Sequence, residues 1–148
     1  MRKTYNGYLI PEPSKANGNY APFLMSDNLI FISGQLPIRD GKLVNAESAD
    51  EEFMQVASKQ MEVATLNLIS QALSAVNYDI NKIQLCVKLN VYIATPDDFK
   101  DHALISNIAS NIINEVFNTS QNHTRTTIGL KSLPLGSLVE ADAIFKIY

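Results

Sequence analysis

The chain has 148 residues, of which 46% are hydrophobic and 18% are charged, and its formal net charge is -3. This length supports one domain with a single core. The negative charge disfavours nonspecific binding of nucleic acid, and no apolar run approaches the ~20 residues of a transmembrane helix. A lone cysteine, Cys86, excludes an internal disulfide, and no apolar stretch typical of a signal peptide is found, so we predict a cytoplasmic protein.

The N-terminal part of the sequence predicts irregular chain followed by a β-hairpin. Prolines, a glycine and small polar residues punctuate residues 1–19, which we interpret as an irregular lead-in to one domain at residues 20–148. Strand-like stretches at residues 20–25 and 29–35 flank a connection of turn-forming residues. An Asp-Gly pair marks a second turn, after which residues 42–44 predict a short edge strand.

A long amphipathic helix is predicted next. Ser48 and Glu51 have the spacing of a capping box, in which each side chain bonds a free backbone N–H at a helix start. The helix is expected to begin there and to end at Asn77. Apolar residues recur along it at intervals of three or four, which predicts one buried stripe facing a sheet. The stripe comprises Phe53, Ala57, Met61, Ala64, Leu68, Ala72 and Val76.

Residues 83–93 alternate between apolar and other side chains, a pattern typical of a strand with one buried face. The odd positions, from Leu85 onward, are expected to point into the core. Cys86, Asn90 and Tyr92 would then lie on the opposite face.

A second helix and two strands complete the predicted order. Thr95 as cap, followed by Pro96 and two aspartates, predicts a helix start, and the helix is expected to run to about Phe117. Its apolar stripe comprises Ile105, Ile108, Ala109, Ile112, Ile113 and Val116. Residues 124–130 and 138–148 are predicted strands, and we expect them to form a hairpin because a Leu-Pro-Leu-Gly turn lies between them.

The order of elements is β-β-(β)-α-β-α-β-β, so two helices must cover a sheet of five or six strands. Two helices can cover only one face. The opposite face would carry Cys86, Asn90 and Tyr92 together with a row containing Glu140 and Asp142. This face is too mixed for a free surface and too polar for a simple core, so we expect it to contact other subunits.

Few residues indicate metal or nucleophile chemistry. His102 and His123 lie far apart in the sequence and have no metal-ligand spacing, so no metal site is predicted. Cys86 has no adjacent cation or helix start that would lower its pKa, which favours a packed side chain over a nucleophile. The common motifs of serine hydrolases, P-loop proteins and zinc proteases are missing.

Two segments nevertheless stand out. One is Leu-Ile-Phe-Ile-Ser-Gly-Gln-Leu-Pro at residues 29–37. The other is His-Thr-Arg-Thr-Thr-Ile-Gly-Leu at residues 123–130, continuing through Leu-Pro at 133–134 to Val-Glu-Ala at 139–141. In combination and spacing they resemble the YjgF/RidA family, with S-G-Q-[LI]-P, an arginine at a strand start, L-P and V-E. The resemblance extends over residues 20–148 and indicates a branch divergent from the best-studied deaminases.

The resemblance implies an α+β fold like that of chorismate mutase, with a mixed β-sheet, two helices on one face, and a homotrimer with clefts between subunits. Studied members hydrolyse enamine and imine products of amino-acid dehydratases to 2-oxo acids and ammonia, without a metal or other cofactor. The implied partners are a small carboxylate or imino acid and further copies of the chain, with no nucleic acid and no membrane.

Two catalytic residues follow from this resemblance. Arg125 falls on the family's carboxylate-binding arginine, and its planar guanidinium suits a bidentate grip on a 2-imino acid. Glu140 falls on the family's acidic position, where a carboxylate can orient or deprotonate the attacking water. The alternatives are a structural ion pair for Arg125 and an exposed strand residue for Glu140.

Four residues are carried over as expected substrate contacts. Ser33 and Gly34 match a pair that lines the site, and Gly34 would let the backbone approach a ligand closely. Tyr20 matches a tyrosine near the first strand. Thr127 stands where better-known members have cysteine and keeps a hydrogen-bonding group. A β-bulge glycine and plain packing are the alternatives for Gly34 and Tyr20.

The sequence therefore predicts a cofactor-independent deaminase of small 2-imino acids. The family's cleft asparagine has no single counterpart, because Ser110 or Asn107 would align with it, and the natural substrate stays open. The alternative is a trimer that binds small carboxylates without turnover. A ribonuclease is disfavoured by the negative charge and by the lack of a histidine pair beside a basic patch.

Register counting predicts a site shared between subunits. In the expected C-terminal hairpin Gly129 lies opposite Glu140, and Arg125 is four residues further along its strand. At ~3.3 Å per residue this separation is ~13 Å, which is long for one small substrate. We therefore expect Tyr20 or the second helix of one chain to face Arg125 of the next.

Overall fold

The computed structural model describes residues 3–148, which form a five-stranded sheet with two helices on one face and two small hairpins. In chain order the elements are β1 (Lys3–Tyr5), β2 (Tyr8–Ile10), β3 (Phe23–Ser26), β4 (Leu29–Gln35), β5 (Ile38–Arg39), β6 (Lys42–Leu43), α1 (Phe53–Ala75), β7 (Ile83–Ala94), α2 (His102–Phe117), β8 (Thr124–Leu130) and β9 (Val139–Ile147). The α+β class, with a mixed sheet and two helices, is as predicted.

The strand order in the main sheet is β3-β4-β9-β7-β8. Strands β7 and β8 are parallel, with α2 as the crossover between them, and all other neighbours are antiparallel. The predicted hairpin between residues 124–130 and 138–148 is wrong, because β7 lies between β8 and β9. A turn signal between two strands shows that the chain reverses there, but it does not show that the strands pair.

The hairpin of β3 and β4 is present, although β3 begins at Phe23 rather than at Tyr20. The short strand predicted at residues 42–44 is observed as β6, which pairs only with β5. Within the lead-in, β1 and β2 form a small antiparallel hairpin that the sequence did not indicate. Residues 11–22 contain no helix or strand.

Helix α1 begins at Phe53, later than the predicted capping box at Ser48 and Glu51. Glu51 instead bonds Lys59, whose Nζ lies 3.0 Å from its carboxylate. The helix is capped one residue after Glu51, at Glu52, whose backbone N–H donates to Gln55 Oε1 at 2.8 Å. The predicted apolar stripe is confirmed, since every member except Phe53 is buried.

Five polar side chains of α1 are also buried, and four of them tie loops to the helix. Gln60 donates to the Val44 carbonyl at 2.6 Å and accepts from the Leu138 N–H at 2.8 Å. The other three donate to backbone carbonyl oxygens: Asn67 to Leu36 and Ile38, Ser70 to Pro11, and Gln71 to Ser14. These bonds hold the irregular residues 11–22 and the connection after β4 in place.

Helix α2 begins at His102, not at the predicted Thr95. The Thr-Pro-Asp-Asp segment is a loop, and Asp98 in it has φ of 60°, which interrupts a right-handed helical path. The predicted end at Phe117 is confirmed, because Asn118 adopts the left-handed conformation that terminates helices.

Strand β7 changes the face on which its side chains lie. Its register against β9 shifts between Ile83 and Leu85 and again between Cys86 and Lys88. An extra residue in a strand reverses the period-two pattern beyond it. Cys86 is therefore in the core at 2% exposure, whereas the prediction placed it on the opposite face. The predicted packed role of its side chain is confirmed, and alternation is regular from Leu89 onward.

The two faces of the sheet differ in chemistry. Alternate residues of β9, from Val139 to Phe145, are buried beneath the helices on what we call the helix face. The residues between them, including Glu140, point to the other side, which we call the open face. The open face also carries the exposed apolar side chains of the paired residues Leu24 and Phe31.

Candidate functional site

A cavity of about 530 Å³ brings three of the expected site residues together. Tyr20, Gly34 and Glu140 line it, along with Lys15 of the lead-in and Leu135 of the turn before β9. The wall at residues 14–17 is positioned by the buried Gln71, which binds the backbone of that segment. The polar residues on α1 thus shape this cavity, and the apolar periodicity of α1 did not indicate their contribution.

Gly34 leaves space for the Glu140 carboxylate. The register between β4 and β9 shifts between Ile32 and Gln35, so Gly34 lies in an irregular part of the strand. A Cβ atom at Gly34 would collide with Glu140 Oε1. The backbone at Gly34 thus lies close to the Glu140 side chain, where a close contact with a ligand was expected. Gly34 also lies at the shift in register, as its alternative interpretation as a β-bulge glycine predicts.

Glu140 is half-buried and has no hydrogen-bond or ion-pair partner among residues 3–148. Burial raises the pKa of its carboxyl, and the nearby charge of Asp142 raises it further. Asp142, in contrast, accepts from Tyr92 Oη at 2.7 Å and from Asn90 Nδ2 at 2.8 Å. The hydrogen bond from Tyr92 to Asp142 is the main reason why the pKa of Tyr92 rises to about 12. The open face therefore holds one satisfied carboxylate and one with free oxygen atoms.

Ser33 supports the cavity from behind. Its hydroxyl donates to the Ala21 carbonyl at 2.6 Å, and its backbone N–H donates to the Pro22 carbonyl at 3.0 Å. These two bonds fasten the segment that carries Tyr20, whose ring is half-exposed beside Gly18. Ser33 thus holds Tyr20 in place and does not line the cavity itself.

Arg125 lies on the helix face, beside the buried Leu89 of β7. Its Nη1 donates to Asn107 Oδ1 at 2.8 Å and to Ser110 Oγ at 3.0 Å, both on α2. No carboxylate pairs with Arg125 among residues 3–148, so the alternative of a structural ion pair finds no partner there. Thr127, two residues on, meets Ser106 Oγ at 2.7 Å.

Both candidates for the family's cleft asparagine contact the arginine. The sequence left Asn107 and Ser110 as alternatives, and they share Nη1 of Arg125 because residues three apart lie on one helix face. His123 also bonds Ser110, with Nε2 2.8 Å from its hydroxyl oxygen. In the sequence His123 was weighed as a metal ligand and noted in the His-Thr-Arg segment, without a role beside Arg125. His123 precedes Arg125 by two residues, and in an extended chain side chains two residues apart lie on the same face, so this spacing could have indicated that the two side chains are neighbours.

The expected catalytic residues lie on opposite faces of the sheet. Arg125 is paired with Leu89 and Glu140 with Tyr92, three positions apart along β7 and one strand to either side. With ~3.3 Å per residue and ~4.8 Å between strands, their backbones are roughly 14 Å apart. The hairpin of residues 124–130 and 138–148, from which a distance of ~13 Å was predicted, does not exist, yet the distance between the two backbones is similar. The sheet itself lies between the two side chains.

Among residues 3–148, no three His, Cys, Asp or Glu side chains cluster in a way that could hold a metal ion. Both helices in this part of the chain are too short or too polar to cross a membrane.

The structure thus defines an α+β protein whose mixed sheet has helices on one face and whose expected polar site residues are divided between the two faces. Residues 11–147 match the family described as Endoribonuclease L-PSP. The Agrobacterium tumefaciens protein Atu1372, of unknown function, is 35% identical, with a TM-score of 0.83 over 96% of this chain and 87% of that one. The Trypanosoma cruzi protein TCP17 is 27% identical over 143 residues, 95% of this chain and 89% of TCP17. The chain belongs to the endoribonuclease L-PSP family, which is the YjgF/RidA family.

More distant relatives show the breadth of this family. Escherichia coli TdcF, solved with bound serine, is 21% identical and has a TM-score of 0.65 over 100% of this chain and 98% of that one, which shows the fold alone. A Schizosaccharomyces pombe relative, mmf1, is 26% identical over 86% of this chain and 65% of its own length, and it is named as mitochondrial. The cytoplasmic location expected from the sequence therefore stays a prediction.

Proposed function

We propose that this protein is a cofactor-independent deaminase that hydrolyses small 2-imino acids to 2-oxo acids and ammonia. The observation that carries the proposal is Arg125, a half-buried guanidinium without an ion-pair partner among residues 3–148. Its contacts are neutral oxygen atoms, so its charge is available to an anionic ligand. Members of this family are deaminases, and TdcF, a family member, has been solved with serine, an amino acid that carries a carboxylate.

Glu140 supplies the proton transfers in this proposal. The imine carbon takes the oxygen of water while Glu140 accepts the proton that the water loses. Glu140 passes that proton to the nitrogen, which gives a carbinolamine. The hydroxyl proton then moves through the same carboxylate to nitrogen while the C–N bond breaks, so ammonia leaves, the carbonyl forms, and one water is consumed per imine. The raised pKa of Glu140 makes its carboxylate a stronger base toward the attacking water, and the protonated carboxyl is still acidic enough to protonate an amine.

The complete site is proposed to form between subunits of a homotrimer. Arg125 and Thr127 lie on the helix face of one chain, and Tyr20, Gly34 and Glu140 lie around a cavity that reaches the open face. A neighbouring subunit that brings its open face against the first chain would close this distance. The exposed Leu24 and Phe31 favour such burial of the open face.

The testing experiment generates imines in situ with an amino-acid oxidase and measures 2-oxo acid release with and without the protein. Arg125→Ala should keep the fold and lose carboxylate binding by ~1.5–3 kcal/mol, or about 10–150-fold, because one charge-assisted pair is removed. Circular dichroism checks the fold, and calorimetry with pyruvate checks binding. A variant that fails to fold, or that binds like wild type, contradicts the proposed role.

The same assay separates the alternatives. Binding of pyruvate without acceleration of imine hydrolysis on several substrates would favour a carboxylate-binding protein. A ribonuclease has less support, because His102 and the His123 partner Ser110 lie eight residues apart on α2, or ~12 Å. No two histidines of this chain therefore flank one bond.

A further inference from the structure

The contact between α2 and β8 is a row of polar pairs. Ser106 meets Thr127 at 2.7 Å, and one turn further along α2 Ser110 meets both Arg125 and His123. The guanidinium that the proposed function assigns to the ligand is therefore held from behind by a chain of side chains.

Both hydrogens on Nη1 of Arg125 are engaged in hydrogen bonds to side chains of α2. One points to Asn107 Oδ1 and the other to Ser110 Oγ, and a guanidinium can only donate. The remaining donors are Nε–H and the two hydrogens on Nη2. Nε–H and its neighbour on Nη2 point the same way and form a fork that matches a carboxylate. The other possible pair of donors, one hydrogen on Nη1 and one on Nη2, cannot bind a carboxylate together, because both Nη1 hydrogens are already bonded.

Ser110 Oγ accepts from Arg125 and also lies 2.8 Å from His123 Nε2, and which of these two atoms donates to the other depends on the imidazole tautomer. The hydroxyl hydrogen of Ser110 can point to Nε2 when that nitrogen carries no proton. Nε2 can accept only when the imidazole is neutral with its proton on Nδ1. Burial lowers the pKa of His123, and the charge of Arg125 lowers it further, and both effects favour the neutral ring.

We propose that His123, acting through Ser110, is a positioning residue that presents the Nε and Nη2 edge of Arg125 to the ligand carboxylate. This inference rests on the proposed function of Arg125. If it is correct, Ser110 and His123 contribute to ligand affinity. If their role is purely structural, they contribute only to the packing of α2 on β8.

The experiment measures pyruvate binding by calorimetry and the KM and kcat of imine hydrolysis for the full chain. We expect Ser110→Ala and His123→Ala to weaken pyruvate binding and raise KM by roughly 3–10-fold, the worth of a neutral hydrogen bond, with kcat nearly unchanged. His123→Gln, whose amide oxygen can accept from Ser110, should recover part of the loss. Ser110→Thr keeps the hydroxyl and should bind nearly as wild type.

Asn114→Ala is the matched control. It removes another side-chain bond at the same seam, from Asn114 to Asn122 at 3.1 Å, without touching Arg125. An equal loss of affinity in this control would show that the effect is packing and would overturn the inference. So would wild-type affinity in Ser110→Ala and His123→Ala, even if each variant is stable.

Two results separate this inference from the proposed function. If Arg125→Ala loses binding while both positioning variants retain it, the function stands and the inference fails. If wild type and Arg125→Ala give the same pyruvate titration, the function fails and takes the inference with it. A crystal structure with pyruvate should show its carboxylate on Nε and Nη2, and contact through Nη1 would contradict the inference.

Discussion

The thiol of Cys86 illustrates how the core controls a reactive side chain. Its Sγ is buried under the helices and donates weakly to the Lys88 carbonyl, 3.6 Å away. Burial raises the pKa of this thiol to about 12, so almost no thiolate exists at neutral pH.

Cys86 should therefore resist alkylation in the native protein. We expect iodoacetamide at pH 8 to label the native chain far more slowly than the chain unfolded in guanidinium chloride, as followed by mass spectrometry. Equal rates in both conditions would mean that the strand carrying Cys86 opens readily.

Two glycines offer contrasting alanine substitutions. In Gly34→Ala the new Cβ meets the end of the flexible Glu140 side chain, which can move away. In Gly129→Ala it meets the His102 ring, with Nε2 at 2.5 Å, and an overpacked ring costs roughly 1–3 kcal/mol.

Gly34→Ala should reduce imine hydrolysis with little loss of stability, and Gly129→Ala should lower the free energy of unfolding. Urea denaturation and the hydrolysis assay, run on both variants, check this. The reverse ranking of the two stabilities would contradict the assigned contacts.

At the scale of elements, α1 is held to the rest of the molecule by polar side chains as much as by its apolar stripe. Gln60 bridges the chain after β6 and the start of β9, at 1% exposure. Removing it leaves the partly buried Val44 carbonyl and Leu138 N–H without these partners, and an unsatisfied group that is shielded from water costs about 1–3 kcal/mol.

Gln60→Ala should therefore lower the free energy of unfolding by roughly 2–4 kcal/mol in urea denaturation. The matched control is its neighbour Lys59→Ala, whose side chain is 42% exposed, so loss of its ion pair with Glu51 should matter little. A Gln60→Ala variant as stable as this control would contradict the bridging role.

The existence of the elements followed from periodicity, and their pairing did not. Apolar spacing placed α1, α2 and the alternation of β9 correctly, because burial on one side imposes a period on the sequence. The predicted start of α1 was wrong because the Glu51 carboxylate pairs with Lys59, eight residues further on, and the capping-box pattern carries no information about that contact. The partner of β8 depends on a strand more than thirty residues earlier, and turn residues carry no information about it.

The same limit applied to the candidate site. The motifs located Arg125, Gly34 and Glu140, but their division between the two faces follows from the strand order. The roles of His123 and Ser110 depend on the packing of α2 against β8, which only the three-dimensional structure supplies.

At the scale of the whole molecule, opposite placement of Arg125 and Glu140 makes the oligomer testable through function. Arg125→Ala and Tyr20→Ala subunits, each expected to be folded and inactive alone, should complement when mixed and reassembled. Random assortment in a trimer gives about one quarter of sites with both residues intact, and hence about that share of wild-type hydrolysis.

Sedimentation of each variant and of the mixture checks that the assemblies match in size. No recovery from folded, mixed trimers would exclude a shared site. A stable monomer with full activity would exclude it independently.

The position of β9 has a consequence for how the chain reaches this state. It is the last strand in the sequence and lies between β4 and β7, pairing with both. Until residues 139–147 leave the ribosome, the strands of the main sheet can pair only as two separate ribbons, β3 with β4 and β7 with β8, each with an unpaired inner edge. Exposed edges of this kind template aggregation. A premature stop before Val139 would therefore remove the middle strand of the sheet and leave two inner edges open to aggregation.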